Sequence, residues 1–278
     1  MMTPRELLIV LCLLLPTPAA AQDVLRIGTY ANYPPWTIRD PDGTIRGFEI
    51  DMIHDLCRRM AAQCTVAAVD FMRVFDDLEA GAYDIYIGGM TATVERMTRV
   101  NFSQPYAAAS NGFMTTANSP LASTLSLNRF DLDQNGGRLP ETLHEFLGEF
   151  RGYRLAVHAG TVQERFADST LQGVAAIKRY TDEQAMYYDL LSGQVDAVMA
   201  SSWSLYNFIN LNHGRRNPPV LFGPILTGGM LGHGLAAALR RDDRDGLARL
   251  NTALSAAKAD GTLARLSLQW FGYNIAPD

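Results

Sequence analysis

The sequence predicts an α/β protein built as two lobes with a cleft between them. Three observations lead there. Strand-like apolar runs alternate with helix-like segments along the chain, the rhythm of mostly parallel sheets flanked by helices. That rhythm occurs twice, on either side of a weakly periodic stretch rich in Ser, Asn, Gly and Asp over residues 117–151. No Pro-rich or low-complexity linker parts the two halves, so they are expected to be joined by strands that cross between them.

The chain opens with a secretory signal. Arg5 supplies a positive n-region, Leu7 to Leu15 is an unbroken apolar run of nine residues, Pro16 breaks it, and Ala19-Ala20-Ala21 offers a small-residue cleavage site. Nine residues are too few to span a hydrocarbon core, which takes roughly 20 in helical form. Residues 1–21 are therefore read as a signal peptide, with the product in the periplasm. Leu11 stands before Cys12 where a small residue would precede a lipidated cysteine, which argues against lipidation. No later stretch is long and apolar enough for a bilayer, so the exported chain is expected to be soluble.

In the first half, Val24 to Thr29 reads as a strand. Gly47 to Met60 reads as a helix, with Met52, Ile53, Leu56 and Met60 on one face. Strands follow at Thr65 to Phe71 and Tyr83 to Met90, with helices at Val74 to Ala80 and Thr93 to Val100. The second half repeats the pattern. Strands are read at Arg154 to His158, Ala175 to Tyr180 and Val195 to Ala200. Helices are read at Val162 to Asp168, Asp182 to Ser192 and Trp203 to Asn210. Two more close the chain, Asp243 to Asp260 and Thr262 to Trp270; Gly193 and Gly261 act as helix stops. Residues 117–151 read as a surface excursion with one helix near Glu141 to Gly148. Phe102 to Phe113 and Gly228 to Leu235 are the candidate crossovers. This gives a first lobe over 22–110, a second over 111–230, and a return to the first over 231–278.

Composition narrows the function. The formal net charge is −5, with 47% hydrophobic residues and no long run of either sign. Nucleic-acid binding is disfavoured, because a phosphate backbone calls for a clustered basic surface. No metal constellation, Cys/His pair or dinucleotide fingerprint stands out, so neither cofactor nor metal is expected. Cys57 and Cys64 remain after export, and a pair in an oxidising compartment is most simply a disulfide.

Gly47-Phe48-Glu49-Ile50-Asp51-Met52, followed by Leu56-Cys57 and Met60, resembles the signature of the extracellular polar amino-acid-binding proteins of ABC importers. The likeness continues through Tyr33-Pro34-Pro35-Trp36, Asp84-Ile85-Tyr86, Met90-Thr91, Glu95-Arg96, Phe102-Ser103, Pro105-Tyr106, Asp260-Gly261-Thr262 and Trp270-Phe271. The Cys57/Cys64 spacing matches the histidine and lysine/arginine/ornithine receptors. Phe102 to Gly112 and Leu266 to Phe271 are most like the opine (nopaline, octopine) receptors. The resemblance implies a type 2 periplasmic-binding-protein fold, a monomer that captures an amino acid or opine-like carboxylate by lobe closure, and an inner-membrane ABC permease as partner.

Such a ligand needs donors for its carboxylate, an acid for its ammonium and a shaped wall for its side chain. Arg96 is the first choice for the carboxylate, since a guanidinium presents two parallel donors. Thr91 and backbone N–H groups about Gly89 are expected to assist. Thr161, opening a helix after a strand, is a donor from the second lobe and also its natural N-cap; Val162 stands where the family usually has a hydroxyl residue. Tyr33 and Phe71 match family positions that sandwich the side chain, and Trp36 reads equally as wall or as core. Tyr30 stands where several relatives for basic ligands carry an acid, which argues against a simple lysine or arginine receptor. Ser201 stands where the family usually has an aspartate for the α-ammonium, which points to a substituted amine or to none. His158 is also a candidate for the cleft. Two other readings stay open: a sensing module without transport, and a cyclohexadienyl-dehydratase-like enzyme on the same fold. The latter needs a general acid, and Ala200 to Ser204 offers none.

Overall fold

The computed structural model describes residues 24–124, 128–134, 138–232 and 234–277. The signal peptide read over residues 1–21 lies outside the described residues. Two sheets organise the rest. The first has the order β5-β1-β6-β16-β7 and joins the two ends of the chain. Its members are β1 (Val24–Thr29), β5 (Gln63–Ala68), β6 (Ile85–Tyr86), β7 (Val100–Phe102) and β16 (Ala238–Arg240). β1 lies parallel to β5 and β6, whereas β16 runs antiparallel to β6 and β7. A three-stranded ribbon, β2 (Asn32–Tyr33), β3 (Thr37–Arg39) and β4 (Ile45–Arg46), precedes α1 (Phe48–Arg59).

Helix α1 forms because its apolar residues recur on one side. It buries Phe48, Met52, Ile53 and Leu56 in a core that also takes in Ile27, Ile85 and Leu239. Acids in its first turn and arginines in its last suit the helix dipole. α2 (Val74–Glu79) packs on the same sheet, and α7 (Arg244–Ala259) and α8 (Thr262–Phe271) pack on α1. Cys57, near the end of α1, is disulfide-bonded to Cys64 at the start of β5. So short a closed loop contributes about 2–3 kcal/mol.

The second sheet has the order β10-β14-β9-β13-β11-β12. It comprises β9 (Asn111–Thr116), β10 (Arg129–Asp131), β11 (Arg154–His158), β12 (Ala176–Tyr180), β13 (Ala197–Ser201) and β14 (Pro219–Thr227). α3 (Glu141–Gly148), α4 (Val162–Thr170), α5 (Glu183–Leu191) and α6 (Ser202–Asn212) cover it. Its core is dominated by Phe113, Phe146, Phe150 and Phe222, whose rings meet edge-on or tilted. The lobes are joined where β8 (Ala107–Ala108) pairs antiparallel with β15 (Gly234–Leu235), both within the expected crossovers.

Several segments differ from the sequence reading. The strand expected over Tyr83 to Met90 pairs only at Ile85–Tyr86, because the chain turns away at Gly89 with φ +67°. A Cβ at Gly89 would lie 2.6 Å from the Tyr33 ring, so only glycine fits. The helix expected over Thr93 to Val100 is a single 3-10 turn, Arg96–Thr98, followed at once by β7. The excursion over 117–151 contains the expected helix α3 but also contributes β10 to the sheet, parallel to β14. β14 was not legible in the sequence, because Gly223 and Pro224 interrupt it and the register shifts between Phe222 and Leu226.

Candidate functional site

The cleft lies where strand ends of both sheets face each other, the usual binding edge of open α/β sheets. From the first lobe come Tyr30 after β1, Tyr33 in β2, Phe71 in a 3-10 turn, Gly88 to Thr91 after β6, and Arg96. From the second come Asn111 on β9, His158 ending β11, Thr161 capping α4, Glu183 opening α5 and Ser201 ending β13. The cleft encloses about 710 Å³ of empty space, part of it open to solvent.

Arg96 is 4% exposed. Its Nη1 donates to the Thr91 carbonyl at 2.9 Å and its Nη2 to the Gly160 carbonyl at 3.0 Å, across the cleft. Its Nε is buried with no hydrogen-bond partner. Burial lowers its pKa to about 10, which still leaves the guanidinium charged at neutral pH. A buried cation held only by carbonyls, with one donor unused, is suited to receive an anion.

The lobes are drawn together in this conformation. Tyr33 Oη donates to Ser201 Oγ at 2.7 Å, and Glu95 forms an ion pair with Arg165 on α4. Trp203 on α6 stacks on Tyr273 and meets Phe271 of α8. On the side-chain wall, Tyr30, Phe71 and His158 form an aromatic trio, with the His158 ring stacked 5.4 Å from Phe71. His158 Nε2 lies 3.2 Å from the Thr181 carbonyl, and burial lowers its pKa.

Nine of the ten residues singled out for the cleft line it: Arg96, Thr91, Gly89, Tyr33, Phe71, Thr161, Ser201, Tyr30 and His158. Trp36 does not. It is wholly buried behind Tyr33, packed against Phe48, Tyr106 and Phe271, because its ring completes the first-lobe core. The expected role of the Gly89 N–H is also corrected. It donates inward to Glu49 Oε1 at 2.8 Å rather than to the cleft. Thr161 caps α4, accepting from Glu164 N and donating to the His158 carbonyl. Ser201 Oγ likewise caps α6 through Ser204 N, so its side chain already serves the helix and Tyr33.

Two residues escaped the sequence reading. Asn111 accepts from Gln163 inside the cleft. Glu183 is 5% exposed and lines the cleft beside Ser201. Burial pushes its carboxyl up, against hydrogen bonds from Tyr187 and Ser204. The segment Ala200 to Ser204 contains no acid, yet the fold brings one there from a neighbouring helix. The available signal was Asp182-Glu183 directly after a strand: Asp182 caps α5 through Gln184 N and Ala185 N, and so sets Glu183 on its first turn.

Residues 25–273 match the model of the bacterial extracellular solute-binding proteins, family 3. The chain belongs to that family. It is 28% identical to the octopine-binding periplasmic protein of Rhizobium meliloti, over 93% of this chain and 94% of that one. It is 30% identical to the L-arginine-binding protein of Pseudomonas aeruginosa, over 94% and 92%. An ancestral arginine-binding protein solved with arginine superposes with a TM-score of 0.75 at 24% identity, covering 90% of this chain and 99% of that one. The architecture is thus the type 2 periplasmic-binding-protein fold. Among the described residues no helix is long and apolar enough to cross a membrane, and no cluster of His, Cys, Asp and Glu could hold a metal ion.

Proposed function

We propose that this family 3 solute-binding protein captures an amino carboxylate with an extended side chain, of the arginine or octopine class, and presents it to an ABC permease after export to the periplasm. One observation carries the reading: Arg96, a buried guanidinium without a carboxylate partner, faces a cleft between two lobes. The ligand carboxylate would take up its free Nε and displace the weaker carbonyl contacts. The side chain would lie along Tyr30, Phe71 and His158, where a cationic end gains ~1 kcal/mol or more from ring faces. The octopine- and arginine-binding relatives support this class of ligand. Ser201 adds support for opines, since a serine oxygen accepts a hydrogen bond without demanding a primary ammonium. Closure follows from the contacts a ligand makes with both lobes at once, because only a difference in affinity between open and closed states can shift them. The chain acts in this reading as a monomer and as a binder, not an enzyme.

A thermal-shift panel of arginine, lysine, histidine, glutamine, octopine and nopaline tests this. A ligand at 100 times its Kd stabilises the fold by ~2.7 kcal/mol, and at least one of these is expected to do so. A flat panel refutes the reading. Prephenate is expected to remain unconverted on incubation with the protein; its turnover would instead make the chain an enzyme.

A further inference from the structure

The cleft is lined by two buried ionisable groups of opposite type, Arg96 and Glu183, with no ion pair between them. Arg96 is held by the carbonyls of Thr91 and Gly160. Among the described residues lining the cleft, Glu183 is the one acid. The groups that act on it are Tyr187, Ser204 and Asp182, none of them a cation. A buried carboxyl of this kind is strongly unfavourable unless it is protonated or matched by a positive charge. Nothing assigned to Arg96 accounts for it.

Its surroundings are shaped around that carboxyl. Tyr187 donates to Glu183 Oε1, and Ser204 hydrogen-bonds the same group. Ser204 in turn meets Ser201 Oγ at 3.1 Å, and Ser201 receives Tyr33 Oη from the opposite lobe. The chain Tyr187–Glu183–Ser204–Ser201–Tyr33 therefore runs from the second-lobe core to the lobe-closing contact. Glu183 also stands in the wall between the cleft and a second cavity, which Tyr33, Tyr187 and Ser204 line as well. Its position at the start of α5 favours the ionised form through the helix dipole.

We propose that Glu183 is the counter-charge for the α-nitrogen of the bound ligand, primary or secondary, and fills the role that the uncharged Ser201 cannot. The assignment rests on the amino-carboxylate reading above. Arg96 reaches the ligand from the first lobe and Glu183 from the second, so a zwitterion couples the lobes through both of its charges. A ligand with a carboxylate alone would satisfy Arg96 and leave Glu183 unmatched. An amine with no carboxylate would do the reverse. Discrimination follows from this arrangement, because each missing group strands a buried partner.

Paired ligands test it by isothermal titration. L-Arginine, L-lysine and L-histidine are each compared with the deaminated acid of the same skeleton, on the wild type and on Glu183→Gln. The substitution keeps Oε1 as an acceptor for Tyr187, and an unchanged melting temperature verifies the fold. The wild type is expected to prefer the amino form by about tenfold or more, the range of a charge-assisted hydrogen bond. E183Q is expected to bring that preference near unity while binding of the deaminated acids changes little. A preference that survives E183Q, or an equal weakening of both members of each pair, overturns the assignment and leaves the amino-carboxylate reading standing. A wild type that binds none of these acids overturns the assignment, and the amino-carboxylate reading falls with it when octopine and nopaline also fail to bind.

Discussion

Replacing Arg96 by Met separates binding from folding with particular clarity. Methionine is unbranched and shorter by about the guanidinium head, and the site is buried. In the structure the guanidinium makes two hydrogen bonds to carbonyls, at 2.9 and 3.0 Å, and leaves Nε unused. Losing those bonds costs about 1–3 kcal/mol each, since two carbonyls lose a charged donor. Against that stands the burial of the charge. A pKa lowered from 12.5 to about 10 corresponds to a charged form disfavoured by about 3 kcal/mol at neutral pH. The two effects are of similar size, so R96M is expected to unfold in urea within about 3 kcal/mol of the wild type. Binding behaves differently. Two charge-assisted hydrogen bonds to a carboxylate, at ~1.5–3 kcal/mol each, amount to a loss of about 100-fold to 10,000-fold in Kd. Isothermal titration with whichever ligand the thermal panel identifies measures this directly. Arg96→Lys, which keeps a point charge without the planar fork, is expected to fall between the two. Affinity within about tenfold of wild type in R96M refutes the assignment of the carboxylate to this residue.

Two further outcomes follow from the same structure. Glu49 is wholly buried beneath Gly89 and Tyr106, and burial raises its carboxyl pKa to about 7. A carboxyl whose folded pKa lies above its unfolded one stabilises the protein fully at low pH. That stability is lost as pH rises through about 7, a change of about 3 kcal/mol in all. Glu49→Gln, which can still accept from Tyr106 and Gly89, is expected to flatten the dependence of unfolding free energy between pH 5 and 8 in urea titrations; a profile parallel to wild type would count against it. Tyr33→Phe removes the 2.7 Å hydrogen bond to Ser201 between the lobes. At about 1 kcal/mol net, this shifts the ligand-free protein toward the open state by about fivefold. Small-angle scattering would register the expansion, and an unchanged radius of gyration would show that this contact does not hold the lobes together.

Much of the fold was legible because the signals were local. Helix α1 is written in the spacing of Met52, Ile53 and Leu56, α5 in the Asp182 cap and the Gly193 stop, and β11 in the short apolar run Leu155 to Val157. Residues that mark the cleft by chemical type, Arg96 and the aromatics Tyr33 and Phe71, were likewise legible. What escaped was non-local. β14 carries Gly223 and Pro224, and its strand character comes from pairing with β9 and β10, distant in sequence. Trp36 has the composition of a pocket wall, but neighbours from α1 and α8 enclose it.

The sequence by itself determined an α/β chain with a paired Cys57 and Cys64, and a cleft with a guanidinium and aromatic rings. These follow from periodicity, capping and residue chemistry, which act over a few positions. Only the tertiary structure decided where the acid of that cleft comes from. Strand ends and helix starts far apart in the chain converge at one edge. That convergence sets Glu183 of α5 beside Ser201 of β13, and no reading of Ala200 to Ser204 alone could place it there.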